Sequence, residues 1–174
     1  MHSSIYHSDS ILETALDLLE ACDGPFWIHA KGESMLPLVR NGDRLQVEPC
    51  KDLPQLGEIL IFRHGIGLVA HRLLCLSLNP QGEIVCLAQG DYALSPDPPI
   101  GIEHVAGRAV TLRREERVLN LNTPIWQKVG RAVSAFQSIF LGIGGKTHLS
   151  LLLRYVARSC IVLFMKLTLV VLKW

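Results

Sequence analysis

The chain has 174 residues, 49% of them hydrophobic, and its 17 Lys/Arg and 16 Asp/Glu leave a net charge of +1. This is enough for one folded core plus an appendage. The five cysteines are odd in number and show no Cys-x-x-Cys pair, and neither a glycine-rich phosphate loop nor a metal-ligand cluster is present, so we expect no disulfide framework, no metal and no cofactor.

The first 23 residues predict a short helix. Residues 8–22 alternate apolar and acidic positions with helical spacing, and they lack the charged start and long apolar stretch of a signal peptide. We therefore expect neither a signal peptide nor an N-terminal membrane anchor. A segment of this size is also too short for a DNA-binding domain, so no nucleic-acid partner is expected.

A strand and a turn follow. Residues 25–31 are aromatic and β-branched enough to form a strand, and Met35 and Pro37 end its extension, which places the Ser34 hydroxyl at a strand edge. The turn closes on Gly42-Asp43, and we expect Asp43 to order the loop behind Ser34. This segment alone favours a turn-capping role for Ser34 over a catalytic one.

The next two apolar runs, 57–62 and 69–73, predict a β-hairpin with His71 on its second arm. A third apolar run then ends in Gly90-Asp91. Taken singly, His71 could be a hydrogen-bonded strand histidine and Asp91 a turn residue.

Taken together, these blocks resemble, in order and spacing, the signal peptidase and LexA-like family of serine peptidases. The resemblance covers residues 25–112, and it rests on Ser34-Met35-Leu36-Pro37 with Gly42-Asp43, Gly57-Glu58-Ile59-Leu60-Ile61-Phe62, Ala70-His71-Arg72-Leu73 and Gln89-Gly90-Asp91. Many members use a lysine base, whereas the endoplasmic-reticulum and archaeal signal peptidases have a histidine in this position. His71 makes this chain similar to the histidine type.

The resemblance implies a Ser34 nucleophile, a His71 general base and Asp91 as the third catalytic residue. The chemistry agrees, because a serine must pass its proton to a positioned base and a carboxylate then holds the imidazole in the right tautomer. The oxyanion would be met by backbone N–H groups at Ser34 and Met35. Gly32 stands where several signal peptidases carry a serine donor, so we expect Gly32 to let the backbone approach the substrate instead.

Residues 124–174 form a basic, apolar tail. Residues 1–123 carry ten Lys/Arg and sixteen Asp/Glu, whereas the tail carries seven Lys/Arg and no acid, and its glycines at 142–145 predict two helices joined by a turn. Arg154, Arg158, Lys166 and Lys173 share one side of the second helix, which fits an amphipathic helix at a membrane surface. A transmembrane span and packing against the core or a partner are the alternatives; a span would bury costly charges.

The sequence thus predicts a mainly β fold of signal-peptidase and LexA type: an N-terminal helix (1–23), a coiled antiparallel catalytic domain (24–123) and a C-terminal helical hairpin (124–174). The predicted function is a serine endopeptidase that trims a peptide or protein precursor on the cytoplasmic side, with a membrane surface as a further partner of the tail. A self-cleaving LexA-like regulator would need a lysine base and a cleavable Ala-Gly bond before the serine, and neither is present. A non-catalytic adaptor on the same fold is the alternative of a different class.

Overall fold

The computed structural model describes residues 24–65, 67–141 and 148–174, which form an eight-stranded antiparallel sheet followed by two helices. The strands are β1 (Phe26–His29), β2 (Arg44–Glu48), β3 (Ile59–His64), β4 (Gly67–Leu78), β5 (Ile84–Gln89), β6 (Ile100–Gly101), β7 (Val105–Arg114) and β8 (Arg117–Asn120). The helices are α1 (Pro124–Ile139) and α2 (His148–Val171). The mainly β class with a C-terminal pair of helices is confirmed. The predicted N-terminal helix and the glycines at 142–145 lie outside the described residues.

The sheet runs in the order β1-β2-β7-β3-β4-β5-β6, with β8 paired to β7. The predicted hairpin is confirmed, because β3 and β4 pair antiparallel with Leu60 opposite His71. The register shifts between Gln46 and Val47, between Ile61 and Phe62, and between Leu73 and Cys75. Such bulges bend a strand and increase its twist.

Strand β3 is buried on both faces because the sheet separates two hydrophobic cores. Its side chains alternate, with Ile59 and Ile61 in the larger core and Leu60 and Phe62 in the smaller one. This is the period of two that an extended strand imposes. The larger core also takes buried side chains from both helices: Trp126, Val133, Ile161, Met165 and Leu169.

Helix α1 begins at a proline, which suits the first helical position because that residue's N–H would have no helical partner. It packs so closely on the turn before β3 that a Cβ on Gly57 would stand 2.3 Å from the carbonyl carbon of Gly130. Glycine at both positions is what permits the contact. The helix therefore rests directly on the turn that leads into β3.

Helix α2 buries one narrow stripe against the domain. Ala157, Ile161, Met165 and Leu169 recur every four residues and are buried, whereas the opposite side of the helix is exposed. The four basic residues predicted to share one side of this helix differ in exposure. Arg154 and Arg158 are half-buried, whereas Lys166 and Lys173 are exposed. No helix in the described part of the chain is long and apolar enough to cross a membrane.

Candidate active site

Ser34 stands exposed on a turn between β1 and β2 that is fixed from below by apolar side chains. Met35, Leu38 and Val39 are buried in the larger core. Within the turn, the Leu36 N–H donates to the Glu33 carbonyl and the Val39 N–H to that of Met35, at 3.1 and 3.0 Å. The loop therefore holds Ser34 at the surface while its neighbours anchor it.

Asp43 closes this loop through Arg114 of β7. The guanidinium donates to both Asp43 carboxylate oxygens, at 2.9 and 2.7 Å, and to the Leu38 carbonyl at 2.8 Å. The Arg40 N–H also donates to Asp43, at 2.7 Å. These contacts hold the second half of the serine loop, residues 38–43, against β7, which agrees with the ordering role predicted for Asp43.

His71 lies on β4 with its ring almost buried, edge-on to Phe62 at a centroid distance of 6.1 Å. Its Nδ1 is 2.6 Å from Oδ2 of Asp97. The Asp97 backbone is itself held, because its N–H donates to the Ala88 carbonyl at 2.8 Å. A carboxylate on Nδ1 favours the tautomer with its proton there, which leaves Nε2 as the basic nitrogen.

Gly90 brings His71 and Ser34 to the same point. A Cβ on Gly90 would lie 2.5 Å from the Ser34 carbonyl oxygen and 3.0 Å from His71 Nε2, so both groups border the one position that glycine leaves empty. The next residues hold this arrangement, since the Tyr92 N–H donates to the Ser34 carbonyl at 2.8 Å. The structure thus places the basic nitrogen of His71 beside the Ser34 residue.

Asp91 does not orient the imidazole, contrary to the sequence prediction. Its two carboxylate oxygens accept hydrogen bonds from Arg72 Nε and Nη2, at 2.7 and 2.6 Å, and Arg72 Nη1 donates to the Gly57 carbonyl at 2.7 Å. The side chains of Arg72 and Asp91 are only 3% and 0% exposed. Both carboxylate oxygens of Asp91 are therefore engaged in a buried ion pair with Arg72. The carboxylate that contacts His71 belongs to Asp97, six residues later.

The sequence did not predict a role for Asp97, because the Gly-Asp motif at 90–91 matched the resemblance and indicated Asp91 instead. One signal favoured the later residue: an arginine directly after a predicted base needs its own counter-charge once the strand is buried. Arg72 takes the nearer carboxylate, and this leaves Asp97 for His71.

The predicted oxyanion donors are available. Among the residues that the structure describes, the Ser34 and Met35 N–H groups donate no hydrogen bond. Gly32 has a φ of +89°, in the left-handed region, and a Cβ there would meet nothing within 4 Å. Glycine is therefore favoured at 32 by backbone conformation, whereas the expected close approach has no counterpart in the atoms around it.

An apolar cleft of about 220 Å³ opens beside Ser34. It is lined by Ile28, His29, Ala30, Lys31, Gly32, Ser34, Met35, Val39, Leu45, Leu68, Val69 and Ala70. Strand β1 ends the sheet on one side of the cleft, and on the other side β4 pairs with β5 only from Arg72 onward. Two strand segments thus border the cleft, each with one edge that pairs with no other strand in the described part of the chain.

Helix α1 supports β4 and the turn at Gly90 from behind. Ser134 Oγ donates to the Leu73 carbonyl at 2.9 Å, and Gln137 Nε2 donates to the Gly90 carbonyl at 3.2 Å. Both polar side chains are buried. These contacts are not predictable from the sequence of the tail, since nothing in a helical pattern shows which strand the helix will cover.

No cluster of three or more histidine, cysteine or acidic residues that could hold a metal ion occurs within residues 24–65, 67–141 and 148–174. The sequence was also compared with known proteins. No protein-family model matches the chain, and no curated protein is significantly similar to it.

Proposed function

We propose that this protein is a serine endopeptidase that cleaves a peptide or protein precursor, with Ser34 as nucleophile, His71 as general base and Asp97 as the carboxylate that orients and stabilises the imidazole. The observation that carries the proposal is the 2.6 Å contact between Asp97 and His71 Nδ1, together with the position of Nε2, which borders Gly90 on the side of the Ser34 carbonyl. Likeness of the sequence blocks to the signal peptidase and LexA-like family supports the assignments of Ser34 and His71, whereas the assignment of Asp97 rests on its contact with His71 alone.

In the proposed reaction, Ser34 Oγ attacks the scissile carbonyl carbon while its proton passes to His71 Nε2. The imidazolium that forms is stabilised by Asp97 and then gives its proton to the leaving amine. The oxyanion accepts hydrogen bonds from the free Ser34 and Met35 N–H groups, which are fixed before the reaction begins. Water, deprotonated by His71, then releases the acyl group from Ser34.

The cleft favours an extended substrate. A peptide laid between β1 and the first part of β4 could add its own backbone hydrogen bonds to both unpaired strand edges. Its alternate side chains would point into a space of about 220 Å³ walled by Ile28, Met35 and Leu68. This volume and lining favour small apolar side chains next to the cut.

The proposal is tested by comparing new protein N-termini in the native host expressing wild type, Ser34→Ala or Ser77→Ala at matched protein levels. Ser77 is an exposed serine on β4 and controls for the substitution itself. N-termini that require Ser34 and survive Ser77→Ala are the expected result. If wild type and Ser34→Ala give the same set, the peptidase proposal fails and the adaptor takes its place.

A second experiment assigns the base. Purified full-length His71→Ala should lose cleavage of a peptide spanning a site found in the host, whereas His64→Ala, an exposed histidine at the end of β3, should retain it. Equal rates for wild type and His71→Ala would remove His71 from the mechanism.

A further inference from the structure

The side of α2 that faces away from the domain is apolar and uncovered. Six large side chains on it are between 52% and 74% exposed: Leu149, Leu152, Val156, Leu163, Leu167 and Val170. We call this set the outer face. Its members follow spacings of three, four and seven residues, which places them along one side of the helix, opposite the buried stripe. A contiguous apolar patch of this kind marks an interaction surface rather than ordinary solvent contact.

The outer face continues into an apolar groove between the two helices. The groove has a volume of about 300 Å³ and, among the residues described, is lined by Ala132, Val133, Phe136, Cys160, Ile161 and Phe164. Cys160 and Phe164 are exposed and adjoin the outer face along the helix. The uncovered surface is therefore larger than one side of the helix, and the groove that it includes is lined by apolar side chains.

The charged side chains of the tail that carries this surface are all positive. The sequence from 124 to 174 has seven Lys/Arg and no Asp or Glu. Lys166 and Lys173 are exposed on α2, and Lys128 and Arg131 are exposed on α1. A second copy of the chain would bring two wholly basic segments together, which like-charge repulsion opposes. An anionic lipid surface supplies both hydrocarbon for the outer face and negative charge for the lysines.

We propose that the outer face of α2 lies in the headgroup region of an anionic phospholipid membrane, with the helix parallel to the surface and the catalytic domain seated on its other side. Apolar side chains enter the boundary of the acyl region, while Lys166 and Lys173 remain at the level of the lipid phosphates. The bound helix stays on one side of the bilayer, so no charge needs to enter the hydrocarbon. This inference is independent of the proposed peptidase activity.

Sedimentation with lipid vesicles tests the proposal on the full-length protein. Wild type should cosediment with vesicles of phosphatidylcholine and phosphatidylglycerol, and more weakly with phosphatidylcholine alone. The triple variant Leu152→Gln, Val156→Gln, Leu163→Gln should lose at least about tenfold in partitioning, because three exposed side chains no longer enter the bilayer. Since these side chains are exposed, its circular dichroism should match that of wild type.

A matched control carries Leu53→Gln, Leu56→Gln and Leu78→Gln, three exposed leucines of the β domain. It should partition like wild type. A Lys166→Gln, Lys173→Gln variant should lose roughly tenfold on anionic vesicles and little on neutral ones, since each lysine near an anionic surface adds attraction.

Four results would overturn the proposal: wild type remaining in solution with both lipid mixtures, equal binding to neutral and anionic vesicles, an equal loss in the control, or a dimer in solution that the outer-face variant dissociates. The last would assign the face to a second copy of the chain.

Discussion

The guanidinium of Arg158 lies over the ring of Tyr92, with 4.5 Å between its central carbon and the ring centroid. Tyr92 in turn donates its N–H to the Ser34 carbonyl. A single residue thus links the inner side of α2 to the loop that carries the proposed nucleophile, and Tyr155 stacks on the same guanidinium at 4.9 Å. In the proposed mechanism, Arg158 would be a positioning residue, since it would act through Tyr92.

Arg158→Ala should lower kcat about three- to tenfold with little change in KM, because a cation–π contact contributes about 0.5–2 kcal/mol and its loss loosens the turn beside Ser34. Arg158→Lys should recover part of the rate. The pH profile should keep its shape, since the proposed base is untouched. A change in KM alone, or full activity in Arg158→Ala, would remove the link between α2 and the site. The assay is steady-state cleavage of the peptide defined in the host.

Asp97→Asn should reduce kcat by roughly two to four orders of magnitude and leave the fold intact. An amide on Nδ1 neither favours the required tautomer nor stabilises the imidazolium. The measurement is kcat against thermal unfolding on the same protein. A variant that melts early without a fall in kcat at low temperature would show that Asp97 serves the loop rather than the base.

Asp91→Asn should act on stability instead. Removing one charge leaves the buried Arg72 guanidinium without its counter-ion, a change that costs about 3–5 kcal/mol in comparable buried pairs. We expect a clear fall in the urea midpoint, with the kcat of the remaining folded protein reduced much less than by Asp97→Asn. If both aspartates lowered kcat equally at unchanged stability, the assignment of Asp97 alone to the base would be incorrect.

Gly90→Ala should inactivate the protein by steric conflict. The new methyl group would stand 2.5 Å from the Ser34 carbonyl oxygen, a backbone atom that moves only with its loop, and 3.0 Å from His71 Nε2. We expect kcat to fall on the order of a hundredfold, because a displacement of about 1 Å at reacting groups has that effect. Gly24→Ala, where a Cβ would meet nothing within 4 Å, is the control and should remain fully active. Retained activity in Gly90→Ala would mean that Ser34 and His71 need not meet at this point.

Cys86 should resist alkylation that modifies Cys160. Burial raises the pKa of the Cys86 thiol from 9.0 to about 11, whereas Cys160 is exposed. At pH 8, iodoacetamide should label Cys160 within the native protein and Cys86 only after unfolding, as mass spectrometry of the digested chain would record.

Because the folded state holds the proton of the Cys86 thiol more tightly than the unfolded state, the thiol contributes stability below pH 9 that is lost as the pH rises toward 11. Cys86→Ala should flatten that part of the stability curve; labelling of native Cys86 would contradict its burial.

Local pattern was sufficient for much of the fold. The apolar runs 57–62 and 69–73, separated by a short segment with two glycines, predict the β3–β4 hairpin, and this is the hairpin that forms. The position of Ser34 on a turn also follows from Met35 and Pro37. Both depend on neighbours in sequence, where propensity and turn chemistry act directly.

The partner of His71 could not be read in this way. Asp91 and Asp97 both follow β5, and the choice between them depends on Arg72, which takes whichever carboxylate reaches the buried guanidinium. Likewise, the orientation of α2 depends on which of its two apolar sides the sheet covers. Leucines and valines occupy both sides, so the sequence pattern showed where the arginines lie without showing that they face the domain.

The bonds from Ser134 and Gln137 to the sheet have a practical consequence for anyone wishing to trim or transplant this protein. A fragment that stops at residue 123 would keep the proposed Ser34, His71 and Asp97. It would lose the side chains that donate hydrogen bonds to the carbonyls of Leu73 and Gly90, and it would also lose the helix residues that cover one side of the larger core. Because α2 adds Ile161, Met165 and Leu169 to the same core, the smallest transferable unit extends through both helices, and a fusion or chimera should join the chain after α2 rather than before α1.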